Sequence, residues 1–168
     1  KMIVAPVNFH SVDSFFNNFQ WLDVMSLQAS TIAGFGLNKP FLCNGANLCY
    51  SKEVFNAIDG FQGNSMIASG DDIFLLEKVL ENRREKVLYL KSKEAIVYSK
   101  TQANIKELIQ QRIRWAAKST GYKNWFSKWV ALLVMVMKTL LILLLILCIL
   151  GNFTWWILVL IFILKFFV

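Results

Sequence analysis

Hydrophobic and polar positions divide the chain into two stretches. Up to residue 128 short apolar runs alternate with polar turns, whereas from Trp129 to Val168 the run is almost unbroken, with Lys138 and Lys165 its only charges. In the first stretch, Met2-Ile3-Val4-Ala5-Pro6-Val7 predicts a buried strand. Ser14 to Ile32 predicts a helix, with Phe15, Phe16, Phe19, Leu22 and Met25 at mostly helical spacing, broken by Gly34, Gly36 and Lys39-Pro40. Phe41-Leu42-Cys43 predicts a short strand running into an Asn44-Gly45 turn. Ser51 to Ile58 predicts a short helix closed by the turn Asp59-Gly60.

Ser69-Gly70-Asp71-Asp72 precedes the apolar-periodic run Phe74-Leu75-Leu76 and Val79-Leu80. Short polar side chains accept from the unpaired N–H groups at a helix start, and negative charge suits that end of the helix dipole. Val87 to Leu90 and Ala95 to Tyr98 predict two strands, so strands alternate with helices and an α/β arrangement is expected. Asn104-Ile105-Lys106-Glu107 has the form of a capping box. In the helix that follows, Ile105, Ile109, Ile113 and Ala116 form one apolar stripe, read as the core face, with Gln111, Arg114 and Trp115 opposite.

The apolar stretch from Trp129 to Leu150 is long enough as a helix, at about 33 Å, to cross a hydrocarbon core. Gly151-Asn152 breaks it, and Phe153 to Val168, at about 24 Å, is expected to be a second crossing cut short. Lys118, Lys123 and Lys128 precede the first span, so that side is expected to be cytoplasmic, as in a bacterial-type plasma membrane. Trp125, Trp129, Trp155 and Trp156 are placed like interfacial anchors.

Composition sharpens the division. Hydrophobic residues make up 56% and charged residues 17%. All 11 acidic residues and all but two of the 18 basic ones fall in the first 128 positions. That modest basic excess is scattered, with no Lys/Arg-rich run or aromatic-basic repeat, so nucleic acid is not an expected partner. A basic rim beside an anionic leaflet accounts for it better. Cys43, Cys49 and Cys148 are odd in number and His10 is the only histidine, which argues against a zinc site or a disulfide framework and for plain buried small residues.

Two groups of residues could carry chemistry. Asp71-Asp72 could simply cap a helix, or one carboxylate could act as general base on a sugar hydroxyl, a poor nucleophile that such a base helps by about 10²–10⁴-fold. One base is enough for direct displacement, and adjacent residues at a helix start diverge too much for the carboxylate pair of a hydrolase. Gln111-Arg112-Ile113-Arg114-Trp115 could be an interfacial anchor. Alternatively its guanidinium groups could match the charge on a departing diphosphate while the indole offers a face to a sugar ring.

In order, Gly70-Asp71-Asp72, then Gln111-Arg112-Ile113-Arg114-Trp115 starting 39 positions after Asp72, then membrane helices, resemble the family 2 membrane glycosyltransferases. The resemblance implies a partial GT-A-like α/β domain, the acceptor-side half, over residues 1–100. An interfacial helix over 101–128 and a transmembrane hairpin over 129–168 would follow. It implies Asp72 as the base, Asp71 as its acidic neighbour, and Gln111, Arg112, Arg114 and Trp115 lining the donor diphosphate and the acceptor. Asn44-Gly45-Ala46-Asn47 resembles the family's acceptor-side loop, with Ser51-Lys52-Glu53-Val54-Phe55 and Gly60-Phe61 after it.

The family usually has Glu where this chain has Asp71, and its metal-holding Asp-x-Asp motif is absent here. The chain opens inside a strand with no initiator methionine, so the nucleotide-binding half and the Mg²⁺ or Mn²⁺ ligands are expected to precede Lys1. The 168 residues alone are then expected to be inactive. The implied reaction is inverting transfer of a sugar from a nucleotide diphosphate sugar to a hydroxyl of a glycan or lipid-linked acceptor at the membrane surface. The rivals are a processive polysaccharide synthase of the same family and a non-enzymatic module whose basic-aromatic helix binds anionic lipid.

Overall fold

The computed structural model describes all residues except 11–13, 64–69, 83–85, 119–120, 122, 152–154 and 168. The chain is mixed α/β and forms two units, residues 1–128 and 129–168. The first contains strands β1 (Met2–Val4), β2 (Val7–Phe9), β3 (Leu48–Tyr50), β4 (Val87–Tyr89) and β5 (Val97–Ser99). Its helices are α1 (Phe15–Gly36), α2 (Lys52–Ala57), α3 (Asp71–Glu81) and α4 (Ile105–Lys118). Helix α5 (Trp125–Ile149) begins in the first unit and continues through the second, which also holds α6 (Trp155–Phe167).

The strand expected over residues 2–7 is two strands in two sheets. β1 lies between β3, antiparallel, and β4, parallel, while β2 pairs in parallel with β5. The break falls at Ala5-Pro6, because proline has no N–H to donate to a ladder. The Pro6 carbonyl still accepts, from Val97 N at 3.2 Å and from Asn47 Nδ2 at 2.8 Å. The strand expected over Phe41–Cys43 is absent. The strand in that region is β3, reached through a 3₁₀ turn at Gly45–Asn47, and it is β3 that pairs with β1.

α2 lies where its signals put it, with Ser51 Oγ accepting from Val54 N and Ile58 closing the end. The loop after it is held to α3 by Lys78, whose Nζ donates to the carbonyls of Gly60 and Gln62 at 2.8 and 2.6 Å. α3 is buried along most of its length, and Ile73, Leu75, Leu76 and Val79 join Met2, Val4 and Val54 in the core.

α1 runs past Gly34 to Gly36, and the face it buries is not the aromatic one. Phe15 is 90% exposed, and Phe19 and Leu22 are also exposed, whereas Gln20, Val24, Thr31 and Gly34 are buried. Gln20 accounts for part of this inversion: its amide donates to the Gln102 carbonyl at 3.1 Å and accepts from the Gln102 N–H at 2.8 Å. Thr101 Oγ1 donates to Asn17 Oδ1 at 2.8 Å, so two turns of α1 are tied to the segment leading into α4. α4 is inverted likewise. Ile105, Ile109 and Ile113 are 65%, 53% and 64% exposed, and Leu108, Gln111, Arg112 and Trp115 form the inner face.

α5, 25 residues or about 37 Å, is the one helix among the described residues long and apolar enough to cross a membrane. α6 has 13 residues, about 20 Å, shorter than a full crossing.

One core position carries a small prediction. The Tyr89 ring packs on Phe35 at 5.4 Å, but its hydroxyl is buried without a hydrogen-bond partner, and burial raises its pKa above the usual tyrosine value. Tyr89→Phe should therefore be neutral or stabilising by up to about 1 kcal/mol in thermal melts. Because the folded-state pKa is raised, wild-type stability is fully present below the ordinary tyrosine range and falls as pH rises through and beyond it. The variant should lack that share of the alkaline loss.

Candidate functional site

A cavity of about 240 Å³ is lined by residues from four separate parts of the first unit. Leu42, Cys43 and Asn44 come from the segment before the 3₁₀ turn, Asp72 and Ile73 from the start of α3, and Trp115 from the inner face of α4. Leu27, Gln28 and Thr31 of α1 complete the wall.

Asp72 is placed by backbone geometry at both ends of its contacts. Gly70, the N-cap of α3, has φ +110°, a left-handed conformation that glycine adopts without a Cβ penalty. The chain thus turns into the helix with Asp71 and Asp72 in its first turn. The two diverge, Asp71 exposed and Asp72 half-buried on the cavity. Asp72 Oδ1 accepts from Ile73 N at 2.9 Å and Oδ2 from Gly45 N at 3.0 Å. The second bond spans 27 residues and fixes the carboxylate against the Asn44-Gly45 turn.

Within that turn the four residues do different work. Asn44 Oδ1 accepts from Ala46 N at 3.0 Å, which closes the turn and leaves Asn44 on the cavity wall. Asn47 instead ties strands together, its Nδ2 donating to the carbonyls of Pro6 at 2.8 Å and Ala95 at 2.6 Å.

On α4, Arg112 rather than Arg114 turns inward. Arg112 pairs with Asp23 of α1 at 2.5 Å and lies over the Trp115 ring at 4.3 Å. Both ions of that pair are about a third exposed, so its contribution is that of a surface pair, up to about 1 kcal/mol. Its larger effect is to hold the guanidinium and the indole in register. Arg114 is exposed. Among the described residues, Gln28 Oε1 on α1 and Gln111 Oε1 and Arg112 Nη1 on α4 are buried without a hydrogen-bond partner.

The structure therefore brings Asn44, Gly45, Asp72 and Trp115 together, with Arg112 and Gln111 beside them on α4, and leaves Asp71, Arg114 and Asn47 outside the cavity. Sequence reasoning missed Gln28 and Thr31. Their signal was a polar line, Gln20, Gln28 and Thr31, at helical spacing along α1.

A larger depression of about 510 Å³ lies over Phe55 to Gln62. It is lined by one local stretch whose single charged side chain is Asp59; it includes Phe55, Gly60 and Phe61 from the acceptor-side resemblance but none of Asn44, Asp72, Gln111, Arg112, Arg114 or Trp115. As to metals, no group of three His, Cys, Asp or Glu among the described residues could hold an ion. Asp72, the one carboxylate on the cavity, already spends both oxygens on backbone N–H groups. The described residues do not fit a divalent cation. Compared with protein-family models, curated proteins and solved structures, the chain matches none.

Proposed function

We propose that the chain is the acceptor-side part of an inverting glycosyltransferase of the family 2, GT-A-like type. It would move a sugar from a nucleotide diphosphate sugar to the hydroxyl of a glycan or lipid-linked acceptor at a membrane surface. What carries the reading is the convergence of Asn44, Asp72 and Trp115, far apart in sequence, on one cavity. A positioned carboxylate, an amide and an indole face are the groups a transferase needs around an acceptor sugar.

In this proposal Asp72 takes the proton of the acceptor hydroxyl as its oxygen attacks the anomeric carbon, and the carbon–oxygen bond to the diphosphate breaks on the opposite side. Two backbone hydrogen bonds fix the carboxylate's orientation before the acceptor arrives. Trp115 stacks on the acceptor ring, and Arg112, set over the indole, offers a permanent positive charge toward the departing diphosphate. The nucleotide-binding residues and the ligands for Mg²⁺ or Mn²⁺ would lie outside these residues.

The exposed Ile105, Ile109 and Ile113 suit a helix lying in the interface with its motif face turned to the protein. Lys123 and Lys128 before the apolar part of α5 favour the cytoplasmic side.

The test uses membranes carrying the protein translated from its whole reading frame, supplied with a panel of nucleotide sugars and Mg²⁺ or Mn²⁺. Nucleoside diphosphate release from one or two donors, above that of membranes lacking the protein, is the expected result. Background release from every donor would overturn the transferase reading and leave a membrane-surface module.

A further inference from the structure

Resting on the transferase reading above, we infer that Gln28 is a specificity-determining residue of the acceptor site, hydrogen-bonding one hydroxyl of the acceptor ring. Two glutamines lie eight residues apart on the inner face of α1. Gln20 is structural, with both ends of its amide satisfied by the backbone of Gln102. Gln28 lines the cavity with Asp72 and Trp115, and its Oε1 is buried without a partner. A buried amide oxygen left unpaired costs free energy, and native proteins keep such groups where a ligand or a functional demand satisfies them.

The neighbours define what the cavity takes. Thr31 Oγ1 donates to its own helix at Leu27 O, 2.9 Å away, so its remaining capacity is as an acceptor. Asp72, in its ionised form, accepts only. A ligand here must therefore bring donors, and it must offer a flat face to Trp115. A hydroxyl-bearing sugar ring does both. At about 240 Å³ the cavity is below the usual range of about 300–1,000 Å³ for drug-sized ligands, so it takes one ring rather than a disaccharide. Because Gln28 stands on a different element from the base, it can select among hydroxyl configurations without touching the reacting atoms.

The experiment is saturation-transfer NMR on the whole protein in lipid nanodiscs. The probes are the methyl glycosides of glucose, galactose, mannose and N-acetylglucosamine, together with mono-deoxy analogues of the best binder. Wild type should bind at least one glycoside, and Gln28→Leu should weaken it about tenfold with an unchanged melting temperature. Gln28→Glu, which keeps an acceptor oxygen at the same reach, should restore binding. One deoxy analogue should lose about tenfold on wild type and nothing on Gln28→Leu, a pattern that a purely structural glutamine would not produce.

Equal binding by wild type and Gln28→Leu would overturn the role of Gln28. So would failure of wild type to bind any of the glycosides. If donor turnover persists in either case, the transferase reading stands and the Gln28 assignment alone falls. If glycoside binding depends on Gln28 while no donor is turned over, the transferase reading falls and the sugar site stands.

Discussion

Asp72→Asn should lower nucleoside diphosphate release from the preferred donor by about 10²-fold or more while leaving the protein folded. The variant keeps the side chain's shape and one acceptor oxygen, so one of the two backbone bonds, to Gly45 N or Ile73 N, survives. The other loses its acceptor, at a cost of about 1 kcal/mol, too little to unfold a domain of ordinary stability. What asparagine cannot do is take a proton from the attacking hydroxyl. Asp71→Asn is the internal control: its side chain is exposed, outside the cavity and equally close to the helix start. It should change release by no more than a few fold. A helix-capping role alone gives the reverse pattern, a lowered melting temperature with turnover per folded molecule unchanged. Release that survives Asp72→Asn, or that falls equally with Asp71→Asn, would remove Asp72 from the mechanism.

The reach of sequence reasoning followed how local each cause was. α2 was legible almost to the residue because both ends carry short-range signals, a Ser51 cap and the Asp59-Gly60 turn. The start of α3 was legible for the same reason, although its cap is the left-handed Gly70 rather than a side chain. The inner faces of α1 and α4 were not. Reading an apolar stripe as the core face assumes water outside, and that assumption selected Phe15, Phe19 and Leu22 on α1 and Ile105, Ile109 and Ile113 on α4. The structure buries Gln20 and Thr31 on one helix and Gln111, Arg112 and Trp115 at least partly on the other, and the pairs that hold these faces inward are distant in sequence: Gln20 with the backbone of Gln102, and Arg112 with Asp23 of α1. No window of local periodicity contains both halves of such a pairing.

The same inversion ties the candidate site to the surroundings of the chain. A helix whose polar face is engaged internally presents Ile105, Ile109 and Ile113 together as an outward apolar face, the kind of surface that meets a partner or a membrane. α4 ends at Lys118 and α5 begins at Trp125, so the outward face lies close in sequence to the one helix among the described residues long and apolar enough to cross a membrane. Inward-facing Trp115 and outward-facing Ile113 are two residues apart. The site and the outward apolar face are therefore opposite sides of one helix, and any shift of α4 moves the indole on the cavity wall with it.

Glu77→Leu should destabilise the first unit by about 2–4 kcal/mol, seen as a melting temperature lower by roughly 5–15 °C. Glu77 is 4% exposed, in the middle of the otherwise apolar inner run of α3, where an unpaired carboxylate would be strongly unfavourable. Its two oxygens accept from consecutive backbone N–H groups, Lys123 N at 3.0 Å and Asn124 N at 3.1 Å. Those groups stand at the entrance to α5, where Asn124 Oδ1 in turn accepts from Phe126 N at 2.9 Å. The carboxylate thus puts negative charge at the positive end of the apolar helix and ties that end to the helix that carries Asp72. Phe126 packs edge-on against Phe41 at 5.4 Å and Ser127 is buried, so the first turn of α5 belongs to the packing of this unit. Leucine fills the space but leaves both N–H groups without their acceptors, and each charge-assisted bond lost accounts for about half of the expected effect. Glu77→Gln keeps one acceptor oxygen and should lose roughly half as much. Glu81→Leu, one turn further along α3 at an exposed position, should leave the melting temperature nearly unchanged. Thermal unfolding followed by near-ultraviolet circular dichroism in lipid nanodiscs distinguishes the three. If Glu77→Leu melts with wild type, the buried carboxylate does not hold the start of α5, and the packing of that turn would rest on the aromatic contact of Phe41 with Phe126.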